Sequence, residues 1–146
     1  MQTPLDDNNP TPDGELITRL IASPADVNAF GNIAAGWLVE HMDNAGAHIA
    51  ERIANGRVTT IAISNMVFLR PVAVGSSISF YVKCTEIGGS SIRICVEVWL
   101  NQRANTSNSD DKGDDKVTEG DFVFVAIDNQ ARTRSLQKYC LLDGNA

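Results

Sequence analysis

The amino-acid sequence predicts an α+β fold in which one long central helix is wrapped by a curved antiparallel β-sheet. Apolar residues recur at helical spacing through residues 31–56 and lie on one stripe: Leu38, Met42, Ala45, Ile49 and Ile53. After Gly56 the chain changes to segments in which apolar and polar residues alternate, as they do in half-buried strands. Because an apolar helix stripe must be covered, the successive hairpins predict a sheet that curls around it.

Length and composition predict one folded domain with a sizeable core. The chain has 146 residues, of which 43% are hydrophobic. We expect a flexible leader over residues 1–14, the folded domain over residues 15–130 and a tail over residues 131–146. The leader is expected to be flexible because it combines Pro4, Pro10 and Pro12 with mostly polar neighbours.

Charge and hydropathy limit the function classes. A net charge of −6 argues against a protein that grips the nucleic-acid backbone. No apolar run approaches the ~18 residues of a membrane span, and the N-terminus lacks the basic start and apolar core of a signal peptide. We therefore expect a cytoplasmic protein that binds neither nucleic acid nor a membrane.

Local patterns predict the elements that precede the hairpins. Residues 15–22 have the β-branched residues and apolar spacing of a first strand, although a helical turn fits the same residues. Residues 23–31 are rich in turn formers and lead into the helix. The helix is expected to end at Asn55-Gly56, because these two residue types commonly terminate helices.

Four further strands are predicted, over residues 57–67, 76–86, 90–100 and 117–127. Gly88-Gly89 is expected to form the turn of a hairpin. Residues 101–116 are polar and acidic, which predicts a long mobile hairpin loop. Its clustered aspartates, Asp110, Asp111, Asp114 and Asp115, do not have the spacing of an EF-hand calcium loop.

One carboxylate on the helix is a candidate functional group. Asp43 lies at the border of the apolar stripe, and its neighbours three, four and seven positions away are Val39, Gly46, Ala47 and Ala50. Small neighbours predict open space in front of the carboxylate, where a substrate can lie. Acidic residues at helix borders are also commonly solvated surface groups, so periodicity alone leaves both interpretations open.

The sequence does not predict a metal site or a disulfide framework. His41 and His48 lie on the same side of the helix but lack a nearby third ligand. The three cysteines are Cys84, Cys95 and Cys140, an odd number without Cys-x-x-Cys spacing. Cys84 and Cys95 lie within strand-like segments, where small apolar residues are expected to pack.

A set of motifs resembles one known family. The motifs are Asn28-x-x-Gly31-Asn32-Ile33-x-x-Gly36-Trp37-Leu38-x-x-x-Met42-Asp43, Gly56-Arg57-Val58-Thr59, Met66-x-Phe68-Leu69-Arg70-Pro71-Val72-x-Val74-Gly75, Ser90-Ser91-Ile92, Glu97-Val98-Trp99 and Thr118-Glu119. In this order and spacing they are similar to the YciA-like branch of the acyl-CoA thioesterases, which have the hotdog fold. The similarity runs from about Ser23 to Asp128. The chain departs from the family at Ala34-Ala35-Gly36, where a bulky residue and a glycine pair are usual.

The resemblance implies hydrolysis of an acyl-CoA thioester to a free acid and coenzyme A. Asp43 is then the catalytic carboxylate, acting on water as general base or attacking as nucleophile. Asn28 would hold the water or donate to the carbonyl oxygen, although an asparagine that only forms the turn is an alternative interpretation. Backbone N–H groups at Ala35 and Gly36 would stabilise the oxyanion, because the first N–H groups of a helix lack partners within it. No cofactor is implied beyond the coenzyme A of the substrate itself.

The resemblance also implies a coenzyme A-binding set and an oligomer. The set consists of Arg57, Thr60, Arg70, Ser90, Ser91, Arg93 and Thr118, although a solvated strand edge is an alternative interpretation for each arginine. Family members pair through their sheet edges, and trimers of such dimers are common. Asn28 and Asp43 of one site would then come from different chains. A free sheet edge favours pairing on physical grounds as well.

The sequence leaves two alternative functions open. A non-catalytic acyl-CoA-binding sensor is favoured by the Ala34-Ala35 departure, whereas the presence of Asp43 and Asn28 argues against it. A hotdog dehydratase usually relies on a catalytic histidine, and the two helix histidines do not occupy such a motif.

Overall fold

The computed structural model describes residues 11–101 and 115–136 and shows one helix packed on a five-stranded antiparallel sheet. The strands are β1 (Glu15–Ile21), β2 (Val58–Phe68), β3 (Ser77–Ile87), β4 (Ser91–Leu100) and β5 (Asp115–Ala126), and helix α1 spans Ala35–Ala54. A short 3₁₀ helix, Pro24–Asp26, lies between β1 and α1. The strand order across the sheet is β1-β3-β4-β5-β2. The predicted fold class is confirmed, and the predicted strands lie within two residues of the observed bounds.

Helix α1 packs on the sheet through the predicted stripe, whose five residues are all buried. Gly46 and Ala50 are buried beside the stripe. A Cβ atom on Gly46 would lie 3.2 Å from the ring of Phe124, so glycine allows the helix to approach β5 closely. The small size of these two residues therefore serves helix–sheet packing.

Both ends of α1 follow from local conformation. Gly31, in the loop before the helix, has a φ of +83°, a conformation that favours glycine. At the other end, Asn55 is left-handed, with φ 51° and ψ 49°, and its N–H donates to the carbonyl of Glu51. The predicted stop at Asn55-Gly56 is confirmed.

The two faces of the sheet differ in their covering. The face toward α1 carries the apolar set of β4, namely Ile92, Ile94, Val96 and Val98, all fully buried. The opposite face carries Trp99 and Glu97, which are nevertheless only 1% and 8% exposed. The Trp99 Nε1 donates to the Glu97 carboxylate at 2.8 Å, and the backbone N–H of Asp13 donates to the same carboxylate at 3.2 Å. The chain that precedes β1 therefore contacts this outer face.

Within the described residues, strand β2 lies at one edge of the sheet and pairs with β5 alone. Its apolar side chains are unusually exposed: Ile61 is 59% exposed and Ile63 is 46% exposed. Val67, Phe68 and the following Leu69 are exposed as well. An edge that combines unpaired backbone groups with apolar side chains is a natural surface for pairing with another strand.

The segment after β5 returns to the sheet. Thr133 forms an isolated bridge with Ile127, and the N–H of Leu136 donates to the carbonyl of Gly89 at 2.8 Å. The domain boundary expected at residue 130 therefore falls inside a segment that contacts the sheet. Residues 1–10, 102–114 and 137–146 lie outside the described part of the chain, and with them most of the predicted leader, loop and tail. Within residues 11–101 and 115–136, no helix is long and apolar enough to cross a bilayer.

Candidate active site

Asp43 and Thr60 form the centre of the candidate site. Asp43 lies half-buried in the middle of α1, and Thr60 is the third residue of β2. The Thr60 Oγ1 donates to Oδ1 of Asp43 at 2.5 Å. A short hydrogen bond to a carboxylate holds it in one orientation. The other carboxylate oxygen has no partner within the described residues, so it is available as an acceptor.

Asn28 lies in a tight loop before α1, and its side-chain oxygen builds that loop. Oδ1 accepts hydrogen bonds from the backbone N–H of Phe30 at 2.8 Å and of Asn32 at 3.1 Å. The backbone N–H of Asn28 donates in turn to the carbonyl of Asn32 at 2.6 Å. The oxygen is occupied by these two bonds. The side-chain NH₂ makes no hydrogen bond within the part of the chain described, so it remains available as a donor.

The first turn of α1 presents free backbone donors. The N-cap residue, Ala34, offers no side-chain hydrogen bond, and the first turn contains no acidic residue. The N–H groups of Trp37 and Leu38 reach the Ala34 carbonyl, whereas Ala35 and Gly36 are exposed and donate to no acceptor in the described chain. Such N–H groups at the positive end of a helix suit an oxyanion.

A pocket of about 340 Å³ lies beside this turn. It is lined by Asn28, Asn32, Ile33, Ala35, Leu38 and residues 68–72, so its walls are mostly apolar. Arg70 contributes the one charged side chain of the lining. Its guanidinium donates to the carbonyl of Lys116 at 3.0 Å and lies 3.2 Å from the Asp115 carboxylate, so it is held in place.

Asp43 does not line this pocket. It lies eight residues beyond Ala35 on the same helix, which corresponds to about 12 Å along the axis at 1.5 Å per residue. Within one protomer, the helix geometry therefore holds the carboxylate away from its own helix start.

A second pocket, of about 470 Å³, lies at the other end of α1. It is lined by His48, Glu51, Arg52, Gly56 and Arg57. Arg57 is exposed, and its Nη1 donates to the Asn129 carbonyl at 3.4 Å. The sequence patterns draw attention to His48 only as a metal ligand without partners and do not single out Glu51 or Arg52, although the spacing of three and four residues places all three on one helix face.

The hairpin that carries Ser90 and Ser91 lies at the same end of the sheet as Arg57. Ser91 pairs with Val125 on β5, and Val125 pairs with Thr59 on β2. This register brings the hairpin, Thr59 and the following Thr60 to neighbouring positions across three strands. Arg57, Thr60, Ser90 and Ser91 therefore belong to one region of the molecule.

The remaining predicted coenzyme A residues lie elsewhere. Arg93 projects from the face of the sheet opposite α1 and lies 3.8 Å from the Glu86 carboxylate. Thr118 is fully buried, and its hydroxyl donates to the carbonyl of Val67 at 2.5 Å. Arg70 and Arg57 lie at opposite ends of β2. The predicted set is thus not gathered in one place within a protomer.

A charged cluster lies on the outer face of the sheet. Cys95, Glu97 and Glu119 offer ligand atoms within 4.8 Å of one another, and the Lys116 ammonium lies 3.4 Å from Glu97 and 3.1 Å from Glu119. Burial lowers the pKa of Lys116, but the carboxylates of Glu119 and Glu97 raise it by more. Burial, together with nearby carboxylates, raises the pKa of the Cys95 thiol to about 11. The arrangement is an ion-pair network beside a neutral thiol.

Comparison with known proteins adds independent findings. Residues 30–106 match the family model of the thioesterase superfamily. The acyl-CoA thioester hydrolase YciA of Salmonella typhimurium is 46% identical over 126 residues, which cover 86% of this chain and 92% of that protein. A hexameric broad specificity acyl-coenzyme A thioesterase aligns with a TM-score of 0.81 at 39% identity, covering 91% of this chain and 96% of its own. A hexameric thioesterase from Yersinia pestis aligns with a TM-score of 0.77 at 41% identity, covering 88% and 99%.

Proposed function

The chain belongs to the thioesterase superfamily and is an acyl-CoA thioester hydrolase with the hotdog fold, and we propose that Asp43 carries its reaction with Asn28 and the first turn of α1. Three groups support this assignment of roles. They are the open carboxylate oxygen of Asp43, the open amide donor of Asn28 and the open N–H groups of Ala35 and Gly36.

In the proposed reaction, the open oxygen of Asp43 accepts a proton from a water molecule as that water attacks the thioester carbonyl carbon. The N–H groups of Ala35 and Gly36 stabilise the oxyanion that forms, while Asn28 donates to the water or to the carbonyl oxygen. The carbon–sulfur bond then breaks, and the departing thiolate takes the proton from the Asp43 carboxyl group. Direct attack by the carboxylate, giving an anhydride that water hydrolyses, uses the same groups.

We propose that each site is shared by two copies of the chain. The distance along α1 separates Asp43 from the helix start in one protomer, whereas a catalytic base acts within about 3 Å of the proton it takes. Pairing of β2 with β2 of a second copy would bring Asp43 of one copy to Asn28 of the other. The exposed apolar edge of β2 and the hexameric relatives support a dimer as the unit and a trimer of dimers as the assembly.

We place the acyl chain in the apolar pocket beside Asn28 and the phosphates of coenzyme A near Arg57, Ser90 and Ser91. The walls of the pocket suit a hydrocarbon chain, and the exposed guanidinium of Arg57 suits a phosphate. Thr60 lies on β2 three residues after Arg57, so the arm that joins the phosphates to the thioester would lead along β2 toward Asp43. This proposal uses no cofactor beyond the coenzyme A of the substrate.

The observation that carries the proposal is the Thr60–Asp43 hydrogen bond, because it orients one carboxylate oxygen and leaves the other open. The test is thiol release from acyl-CoA esters of increasing chain length, with the wild type beside Asp43→Asn. Loss of a general base predicts that kcat falls at least about a hundredfold. Asp121→Asn is the matched control, since Asp121 lies on the outer face and accepts from Asn65 at 2.7 Å.

Full activity of Asp43→Asn would exclude the proposed role of this carboxylate. If the wild type binds acyl-CoA yet cleaves no ester in the panel, the non-catalytic sensor hypothesis replaces the hydrolytic one. If the wild type is active, the same panel identifies the preferred chain length.

A further inference from the structure

The segment after β5 holds Arg57 from two directions. The backbone N–H of Ile127 donates to the carbonyl of Arg57 at 3.0 Å, and the Nη1 of Arg57 donates to the carbonyl of Asn129 at 3.4 Å. Residues 127–136 then return toward the end of α1 and the β3–β4 hairpin. The position of Arg57 therefore depends on this segment as well as on the helix from which it emerges.

Arg134 is the residue of that segment that reaches the helix. Its Nη2 donates to the carbonyl of Ala54 at 2.8 Å, and its Nε donates to the carbonyl of Ile127 at 3.1 Å. The carbonyls of the last helical turn have no partners within the helix and form its negative end. A guanidinium with several donors in a fixed plane can satisfy one such carbonyl, that of Ala54, and the Ile127 carbonyl at once.

The absence of a side chain at Gly56 allows this contact. A Cβ atom on Gly56 would lie 2.7 Å from the Nη2 of Arg134, well inside contact distance. Because that nitrogen is hydrogen-bonded to Ala54, a side chain at position 56 would have to displace the guanidinium. Gly56 and Arg134 thus form one structural unit next to Arg57.

We propose that Arg134 is a positioning residue for coenzyme A binding, which acts by holding Arg57 in place. It joins the two points that flank Arg57, namely Ala54, three residues before it, and Ile127, which is bonded to its carbonyl. With both points joined, the backbone of Arg57 has one position relative to the pocket at the end of α1. The inference rests on the proposed role of Arg57 toward the phosphates of coenzyme A.

The first test is Arg134→Lys, in which one ammonium replaces two fixed donors. We expect the Kd for coenzyme A, measured by calorimetry, and the KM for acyl-CoA to rise about tenfold, as loss of one or two hydrogen bonds predicts. The kcat at saturating acyl-CoA should stay within about twofold, because Arg134 contacts none of the groups assigned to the chemical step.

Ile53→Val is the matched control for a purely structural effect. Ile53 is buried and precedes Ala54, so trimming one methyl group lowers the thermal midpoint at the same end of the helix. The affinity for coenzyme A should remain unchanged in this variant. An unchanged affinity in Arg134→Lys, or an equal loss of affinity in Ile53→Val, would overturn the inference.

The second test uses Gly56→Ala, which leaves Arg134 intact but crowds its guanidinium. We expect the same weakening of coenzyme A binding, and no further weakening in the double variant, because both changes disrupt one contact. Additive effects would contradict the inference. If the wild type releases no thiol while Arg134→Lys still weakens coenzyme A binding, the hydrolytic mechanism fails and the positioning role stands.

Discussion

The hydroxyl of Thr60 lies 2.5 Å from Oδ1 of Asp43, so one hydrogen bond joins the middle of α1 to the edge strand β2. The same strand carries the exposed apolar residues through which we expect two copies to pair. In the proposed site, orientation of the Asp43 carboxylate and assembly of the dimer would therefore be coupled through β2. A change in the position of β2 would alter both.

Removal of the Thr60 hydroxyl should weaken catalysis more than folding. Thr60→Val deletes the donor to Asp43, and hydrogen bonds to charged groups are worth about 1.5–3 kcal/mol, so we expect kcat to fall by about one to two orders of magnitude. Thr60→Ser keeps the donor and should stay close to the wild type. Thr59→Val is the control, because Thr59 is exposed and lies next in sequence. Unimpaired thiol release by Thr60→Val would show that the bond has no catalytic role.

Two inactive variants should restore activity when they share one assembly. In the proposed shared site, one copy contributes Asn28 and the other contributes Asp43. Asn28→Ala and Asp43→Ala therefore remove different contributions to the site. In each dimer that contains one chain of either variant, one of the two sites has both intact residues. A randomly composed trimer of dimers therefore has about a quarter of its sites intact and should recover about a quarter of wild-type activity. Co-expression with two affinity tags and tandem purification isolates these assemblies for the thiol-release assay.

The control for this experiment is a mixture of two differently tagged Asp43→Ala chains, which should stay inactive. Absence of recovery in purified mixed assemblies would place Asn28 and Asp43 in sites of a single chain. That result would overturn the proposal that each site is shared by two copies of the chain.

The fold could be predicted because each part of the chain has one dominant spacing of apolar residues, helical before Gly56 and alternating after it. The stripe from Leu38 to Ile53 requires a covering surface, and the alternation in β4 assigns each residue to a face. Tertiary contacts decide what the periodicity leaves open. Trp99 and Glu97 lie on the predicted outer face yet are buried. The Glu97 carboxylate accepts hydrogen bonds from the Trp99 side chain and from the backbone of Asp13, so the chain before β1 covers this part of the face.

The site could be predicted only in part. The position of Asp43 at the stripe border follows from its spacing, and its bond to Thr60 requires the register of β2 against α1. The sequence does not distinguish Thr60 from Thr118, both of which are strand threonines in the predicted set. In the structure the Thr118 hydroxyl donates to the Val67 carbonyl inside the sheet. The contact of Arg134 with the end of α1 joins residues 80 positions apart, and no local pattern signals it.

A charge on the β2 edge should separate the subunits. Ile63 is 46% exposed in the protomer, so Ile63→Lys should fold, whereas pairing would bury the new ammonium at a cost of several kcal/mol. We expect analytical ultracentrifugation to show smaller species and the thiol-release assay to show loss of turnover. Ile21→Lys, on β1 at the opposite edge, tests the choice of edge, because Ile21 is 71% exposed. Loss of activity only in Ile21→Lys would show that the subunits pair through the β1 edge and that the proposed β2 edge is wrong.

The Cys95 thiol should react slowly at neutral pH, and its rate should rise steeply in alkali. With a pKa of about 11, only about one thiol in a thousand is a thiolate at pH 8, and only the thiolate reacts. Alkylation by iodoacetamide, followed at the Cys95 peptide by mass spectrometry, should therefore accelerate about tenfold per pH unit between pH 8 and pH 10. The denatured chain should react quickly at pH 8 and serves as the control.

The same experiment distinguishes the ion-pair network from a metal site. Metal ligation by Cys95, Glu97 and Glu119 requires a thiolate, whereas the Lys116 ammonium already pairs with both carboxylates, and burial with the nearby carboxylates keeps the thiol protonated by raising its pKa. If zinc ions occupied this cluster, adding them at pH 8 would protect Cys95 from alkylation, and we expect no such protection. A rate that levels off below pH 9, or zinc protection at micromolar concentration, would contradict a neutral Cys95 beside a lysine-centred network.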